Sequence, residues 1–272
     1  MNSPKNSRDK KSNNRIRFVT ISYEPIHLVI IVGSMISIYI KEMLSDNSKD
    51  RTFLASFLYY FGVLTIAGET DELKVLLKVP NLVMQSLYVE RIQKTFLPEP
   101  GDRDDGKWAA EKVYQKDDMK PLCDFIETRY FKVLKNRDYR WANELTVKTA
   151  FLTLLYNNII FIMDSEKEID RRYADLTMIV RPDKRHATAY DVLIEFKYVS
   201  LKDAGINGAQ AEKLSEKELY QLPAMQQELE NGTKQALEYG KKLEQRHKNS
   251  RLAIFVVVSL DFERVCFKPA KD

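Results

Sequence analysis

YADLTMIV (173–180), RPDKRHATA (181–189) and YDVLIEFKYV (190–199) form the stretch whose reading decides the fold of this chain. Two apolar runs rich in Val, Ile, Leu and Phe flank a polar segment with Pro, Asp and Lys, the pattern of a β-hairpin with a long turn. Asp175 lies ten residues before Arg185, at the expected turn, and Glu195 lies ten residues after it. Strands pairing symmetrically about that turn place the two carboxylates opposite each other on one face, roughly 4.5–5.5 Å apart at Cβ. Like charges so placed repel, so the arrangement calls for a cation between them. A hard, oxygen-preferring ion such as Mg²⁺, or Mn²⁺ in its place, suits carboxylate ligands. Lys197 is two residues beyond Glu195, and the period of two puts its ammonium on the same face. The competing reading is an exposed charge ladder, which contributes only about 0–1 kcal/mol. Against it, Glu195 interrupts the apolar VLIEF and Asp175 sits in YADLTMIV, strands expected to be buried, where unpaired charge is expensive.

Ala174-Asp175 followed by Glu195-Phe196-Lys197 resembles the D…(D/E)xK signature of the PD-(D/E)xK nuclease superfamily. The surroundings, NRDYRWANELTVKTAFLTLLY, DSEKEIDRRYADLTMIVRP and LIEFKYVSL, are similar to the nuclease-like domain that follows an AAA-type ATPase domain in a family of bacterial proteins. The resemblance covers residues 120 to 268, with a weaker extension back to residue 50. It implies an α/β fold of the restriction-endonuclease-like kind, a mixed central sheet flanked by helices, preceded by an N-terminal helical, winged-helix-like region. It also implies a metal held by Asp175, Glu195 and the backbone carbonyl of Phe196, with Lys197 acting on water and phosphate. Glu144, in the first turn of the helix ANELTVKTAFLTLLY, matches the acidic residue that family members place on the first core helix. It reads equally as a helix-start acid paired with Lys148 four residues on. Gln235, four residues before Tyr239 on a late helix, matches the Gln and following aromatic that family members carry near the active centre. Its other reading is a surface Gln beside a half-buried Tyr.

The chain has 272 residues, 44% of them hydrophobic, enough for a sizeable core. Its 43 Lys and Arg against 39 Asp and Glu leave a net charge of +4, compatible with a nucleic-acid partner but insufficient to establish one. Cys123 and Cys266 have no CxxC spacing, so neither a disulfide framework nor a zinc site is indicated, and a reducing cytoplasm is the expected location. Residues 1–50 combine a basic segment with the apolar run IHLVIIVGSMISIYI (26–40). That run falls short of the roughly 20 residues a spanning helix needs and has no small-residue cleavage site after it; a buried strand or helix is expected and membrane association is not.

Residues 51–97 read as helix, hairpin, helix, with Gly62 stopping the first helix and Asn81 capping the second. This resembles the winged-helix-like end of the ATPase domain. No GxxxxGK[ST] is present in the chain, so the phosphate-cradling loop is missing and no ATP binding is expected. Residues 98–120, charged and punctuated by Pro98, Pro100, Gly101 and Gly106, read as a linker, and 121–272 as the nuclease-like domain. The expected function is divalent-metal-dependent hydrolysis of nucleic acid, DNA in the first instance. The alternative is a non-cutting nucleic-acid- or protein-binding module that keeps the fold, with self-association or a protein partner left open. Phosphate contacts are expected from Arg171, Arg172, Lys184 and Arg185, or from Lys241, Lys242, Arg246 and Lys248, the second cluster reading also as basic residues that favour their helix C-terminus through its dipole. Because facing carboxylates repel, removing Asp175 is expected to stabilise the metal-free protein.

Overall fold

The computed structural model of the chain describes residues 21–24, 27–32, 51–69, 74–135, 144–164, 167–169, 172–247 and 251–270. It divides into two compact units, residues 1–22 with 28–80 and residues 23–27 with 81–272. In the N-terminal part, strands β1 (Ile21–Glu24), β2 (His27–Val32), β3 (Thr65–Glu69) and β4 (Val75–Lys78) form a sheet in the order β1-β2-β4-β3. Strand β2 lies in the apolar run of residues 26–40, whose remainder from residue 33 is outside the described residues. Helix α1 (Arg51–Tyr60) stops at Gly62, which takes φ +70°, a left-handed conformation that glycine adopts without a Cβ penalty.

The larger unit carries the site. Helix α2 (Leu82–Phe96) is capped by Asn81, whose side chain accepts the Met84 N–H at 3.0 Å. The expected linker of residues 98–120 is instead occupied by helix α3 (Pro100–Lys116), with Pro100 in its first turn. Ala109, Ala110, Val113 and Tyr114 of α3 are buried in the main core. Gly106 allows a close approach there: a Cβ at this position would stand 2.9 Å from Leu154 and 3.0 Å from the Phe125 ring. The residues that punctuate loops in sequence thus start a helix and seat it. Helix α4 (Lys120–Phe125), a π-helical turn (Ile126–Tyr130) and α5 (Phe131–Lys135) follow, then α6 (Glu144–Leu155).

Five strands, β5 (Phe161–Asp164), β8 (Leu176–Val180), β9 (Asp191–Val199), β10 (Leu252–Leu260) and β11 (Arg264–Pro269), form a sheet in the order β11-β10-β9-β8-β5. β9 and β10 run parallel and the other neighbours antiparallel, so the sheet is mixed, as expected. Two short strands, β6 (Lys167–Ile169) and β7 (Arg172–Ala174), leave it to pair with each other. The apolar run of residues 173–180 is divided at Asp175, between β7 and β8.

Alternation along β9 assigns the two faces. Val192, Ile194 and Phe196 enter the core shared with α3 and α6, where the Phe151 and Phe196 rings stand 5.2 Å apart. Leu193 and Val199 enter the second core with Ala236, Tyr239 and Leu243 of α9 (Pro223–Arg246). Two short helices, α7 (Gly208–Lys213) and α8 (Glu216–Gln221), each closed by a reciprocal capping box, lead into α9.

Candidate active site

Pairing of β8 with β9 matches Leu176 to Ile194, Thr177 to Leu193 and Met178 to Val192. One step further along that register Asp175 stands across from Glu195, the symmetric arrangement about Arg185. Strand β8 begins only after Asp175, and the Asp175 carboxylate replaces a backbone acceptor at its end: Oδ2 takes the Phe196 N–H at 2.9 Å. The Phe196 side chain itself points away into the opposite core.

The other Asp175 oxygen is held by a residue the sequence reading did not place here. Lys148 of α6 is 4% exposed, and its Nζ donates to Asp175 Oδ1 at 3.1 Å. In sequence it was read as a partner for Glu144; the signal missed is that Lys148 lies in line with Phe151 and Leu155 on the buried stripe of an apolar helix. Lys197 donates to Glu195 Oε1 at 2.8 Å. Glu195 is 3% exposed, and its second oxygen, Oε2, is buried with no hydrogen-bond partner among the described residues. Burial, with the Asp175 charge next, pushes the Glu195 carboxyl up to about 7 despite the Lys197 ammonium beside it.

Glu144 stands at the first turn of α6, and its carboxyl is also raised, by crowding of protein atoms first and by Asp175 second, with Lys197 and Lys148 acting the other way. It is therefore electrostatically part of the cluster. Gln235, exposed on α9, shares an open cavity of about 580 Å³ with Lys197, Glu228, Asn231, Lys234 and Glu238. Gly232, one turn before Ala236, lets α9 approach here: a Cβ on it would lie 2.5 Å from Val256 and 3.5 Å from Lys197 Cγ. Among the described residues no group of three or more His, Cys, Asp or Glu side chains is arranged to hold an ion, so an ion here would draw on Asp175 and Glu195 together with backbone or water oxygens.

Arg185, one of the expected phosphate contacts, pairs at 2.7 Å with Asp191, which also accepts the Val180 N–H at 2.6 Å and ties the hairpin base together. Lys184 pairs with its neighbour Asp183. Arg171 and Lys248 lie outside the described residues. Cys123 and Cys266 are buried free thiols. Among the described residues no helix is long and apolar enough to cross a membrane.

A mixed five-stranded sheet flanked by helices is consistent with a restriction-endonuclease-like fold, and it brings Asp175, at the start of one central strand, to Glu195 and Lys197 on the next. Residues 142–267 match the family described as the PD-(D/E)XK nuclease superfamily. No curated protein and no solved structure matches the chain.

Proposed function

We propose that the domain hydrolyses phosphodiester bonds in nucleic acid, DNA in the first instance, with Mg²⁺ or Mn²⁺ bound between Asp175 and Glu195. The observation that carries this reading is the buried, unpartnered Oε2 of Glu195 on the same face as Asp175 and Lys197. An acceptor oxygen without a donor, in a group that burial and a neighbouring carboxylate both destabilise as an anion, is relieved by a hard cation. Asp175, Glu195 and the Phe196 carbonyl would hold the ion, with Glu144 reaching it through a water. When bound, such an ion lowers the pKa of a coordinated water and neutralises charge on the scissile phosphate.

Lys197, which lines the cavity, orients the attacking water and stabilises the extra negative charge of the transition state. Gln235 borders the same cavity and positions the strand against Lys197. The ion pairs support the alternative as well: in a non-cutting module that keeps the fold, Lys148 and Lys197 neutralise the two carboxylates without a metal. The deciding experiment is incubation of the purified protein with plasmid, linear duplex and single strands, with Mg²⁺, Mn²⁺ or EDTA. Metal-dependent cleavage of any substrate upholds the enzyme; intact substrates throughout, alongside retained binding to nucleic acid, select the module.

A further inference from the structure

We propose that Lys148 is a resident counter-ion that holds Asp175 in the metal-free protein and gives up Asp175 Oδ1 when a divalent cation binds, because its buried ammonium occupies that oxygen while Glu195 Oε2 beside it has no partner. The inference rests on the metal-site reading above and deepens it by assigning the chain's own competitor for the ion.

Three features build the argument. Each Asp175 oxygen already accepts one donor, Oδ2 from the Phe196 N–H and Oδ1 from Lys148, so an ion that takes Oδ1 meets a resident cation on that oxygen. Of the two donors the Phe196 N–H is fixed in the backbone of a central strand, whereas the lysine is carried on a flexible four-carbon stem. Nor is Lys148 placed as a surface pair: its side chain is 5% exposed and that of Asp175 18%, so the pair stands where the loss of either partner leaves a costly unpaired charge. The ion therefore restores the neutralisation that Lys148 leaves. Lys148 is a positioning residue in this scheme. Without an ion it keeps Asp175 oriented; with one it resists binding, so metal affinity is set below what the two carboxylates alone would give.

The test needs no activity. Calorimetric titration of Mn²⁺ into wild type, Lys148→Met and Lys148→Arg is expected to show the Met variant binding about fivefold or more tighter than wild type, the lower end of couplings between linked sites, and Arg staying close to wild type. In parallel, amine labelling of wild-type Lys148, read by peptide mass spectrometry, is expected to be low in EDTA and to rise when Mg²⁺ is added. This second arm needs no variant, should Lys148→Met fail to fold. Unchanged labelling under Mg²⁺ that calorimetry shows to be bound overturns the Lys148 assignment alone, as does an unchanged affinity in Lys148→Met. Absence of any Mn²⁺ or Mg²⁺ binding in wild type and variants overturns it together with the metal-site reading, and leaves Lys148–Asp175 a structural ion pair.

Discussion

Asp175, Lys197 and Glu195 each answer a separate perturbation. Asp175→Ala removes the partner of a buried lysine and the acceptor of the Phe196 N–H together. Its unfolding in EDTA is expected to fall by about 3–5 kcal/mol in a urea titration. That reverses the expectation drawn from facing carboxylates, because the repulsion they imply is already offset by Lys148 and Lys197. Lys197→Ala is expected to keep Mn²⁺ binding in calorimetry and to lose cleavage, since the lysine touches Glu195 Oε1 and the cavity rather than the unpartnered oxygen. Loss of metal binding in that variant would make Lys197 a structural anchor of Glu195. The raised Glu195 carboxyl fixes a pH dependence. An acid that titrates near 4.5 unfolded and at about 7 folded binds more protons in the native state between those values. The Glu195 contribution to metal-free stability is therefore largest below about 4.5 and is lost as pH rises through about 7. Melting curves from pH 4 to pH 8 in EDTA read this directly, and saturating Mg²⁺ should flatten the decline.

At the scale of elements, the site depends on α9 lying close against β9 and β10. Gly232 sets that distance, with Val256 2.5 Å and Lys197 Cγ 3.5 Å from where its Cβ would be. Gly232→Ala removes a poor helix former yet overpacks this contact, and the clash outweighs the helix propensity gained: a net loss of about 1–3 kcal/mol is expected, with a fall in cleavage beyond what lost stability explains. A stabilised and fully active Gly232→Ala protein would show that α9 shifts freely at this point. The interruption between β7 and β8 is the other element that matters. By ending the backbone ladder at Leu176, it frees the Phe196 N–H for a side-chain acceptor, and that bond orients Asp175.

For the whole molecule, the expected boundary at residue 121 conflicts with the packing. Helix α3 places Ala109, Ala110, Val113 and Tyr114 in the same core as Phe151, Ile194 and Phe255. A chain beginning at Asn81 is expected to unfold cooperatively and bind Mn²⁺ as the full chain does, whereas one beginning at Pro121 exposes that core and should aggregate or melt without a cooperative transition. A well-behaved protein starting at Pro121 would restore the linker reading. ATP, for which the chain has no phosphate loop, should leave the melting temperature of the full chain unchanged, because only a ligand that binds the native state raises it.

What could be read from sequence alone was local and periodic: the hairpin, its symmetry about Arg185, the neighbouring of Glu195 and Lys197, the Gly62 stop and the Asn81 cap. Strand alternation and helix capping act over a few residues, so the residues that cause them are printed next to one another. Tertiary structure alone decided which partner each charge takes. Glu144 and Lys148 are four apart on one helix, yet Lys148 turns to Asp175, 27 residues on in sequence, because a buried ammonium takes the carboxylate that burial brings to it. It also decided that a Gly- and charge-rich segment is the helix α3, since Gly106 serves close packing against Leu154 and Phe125 rather than a turn. A glycine's role depends on what comes within 3 Å of it, and that neighbour is a fact of the folded chain.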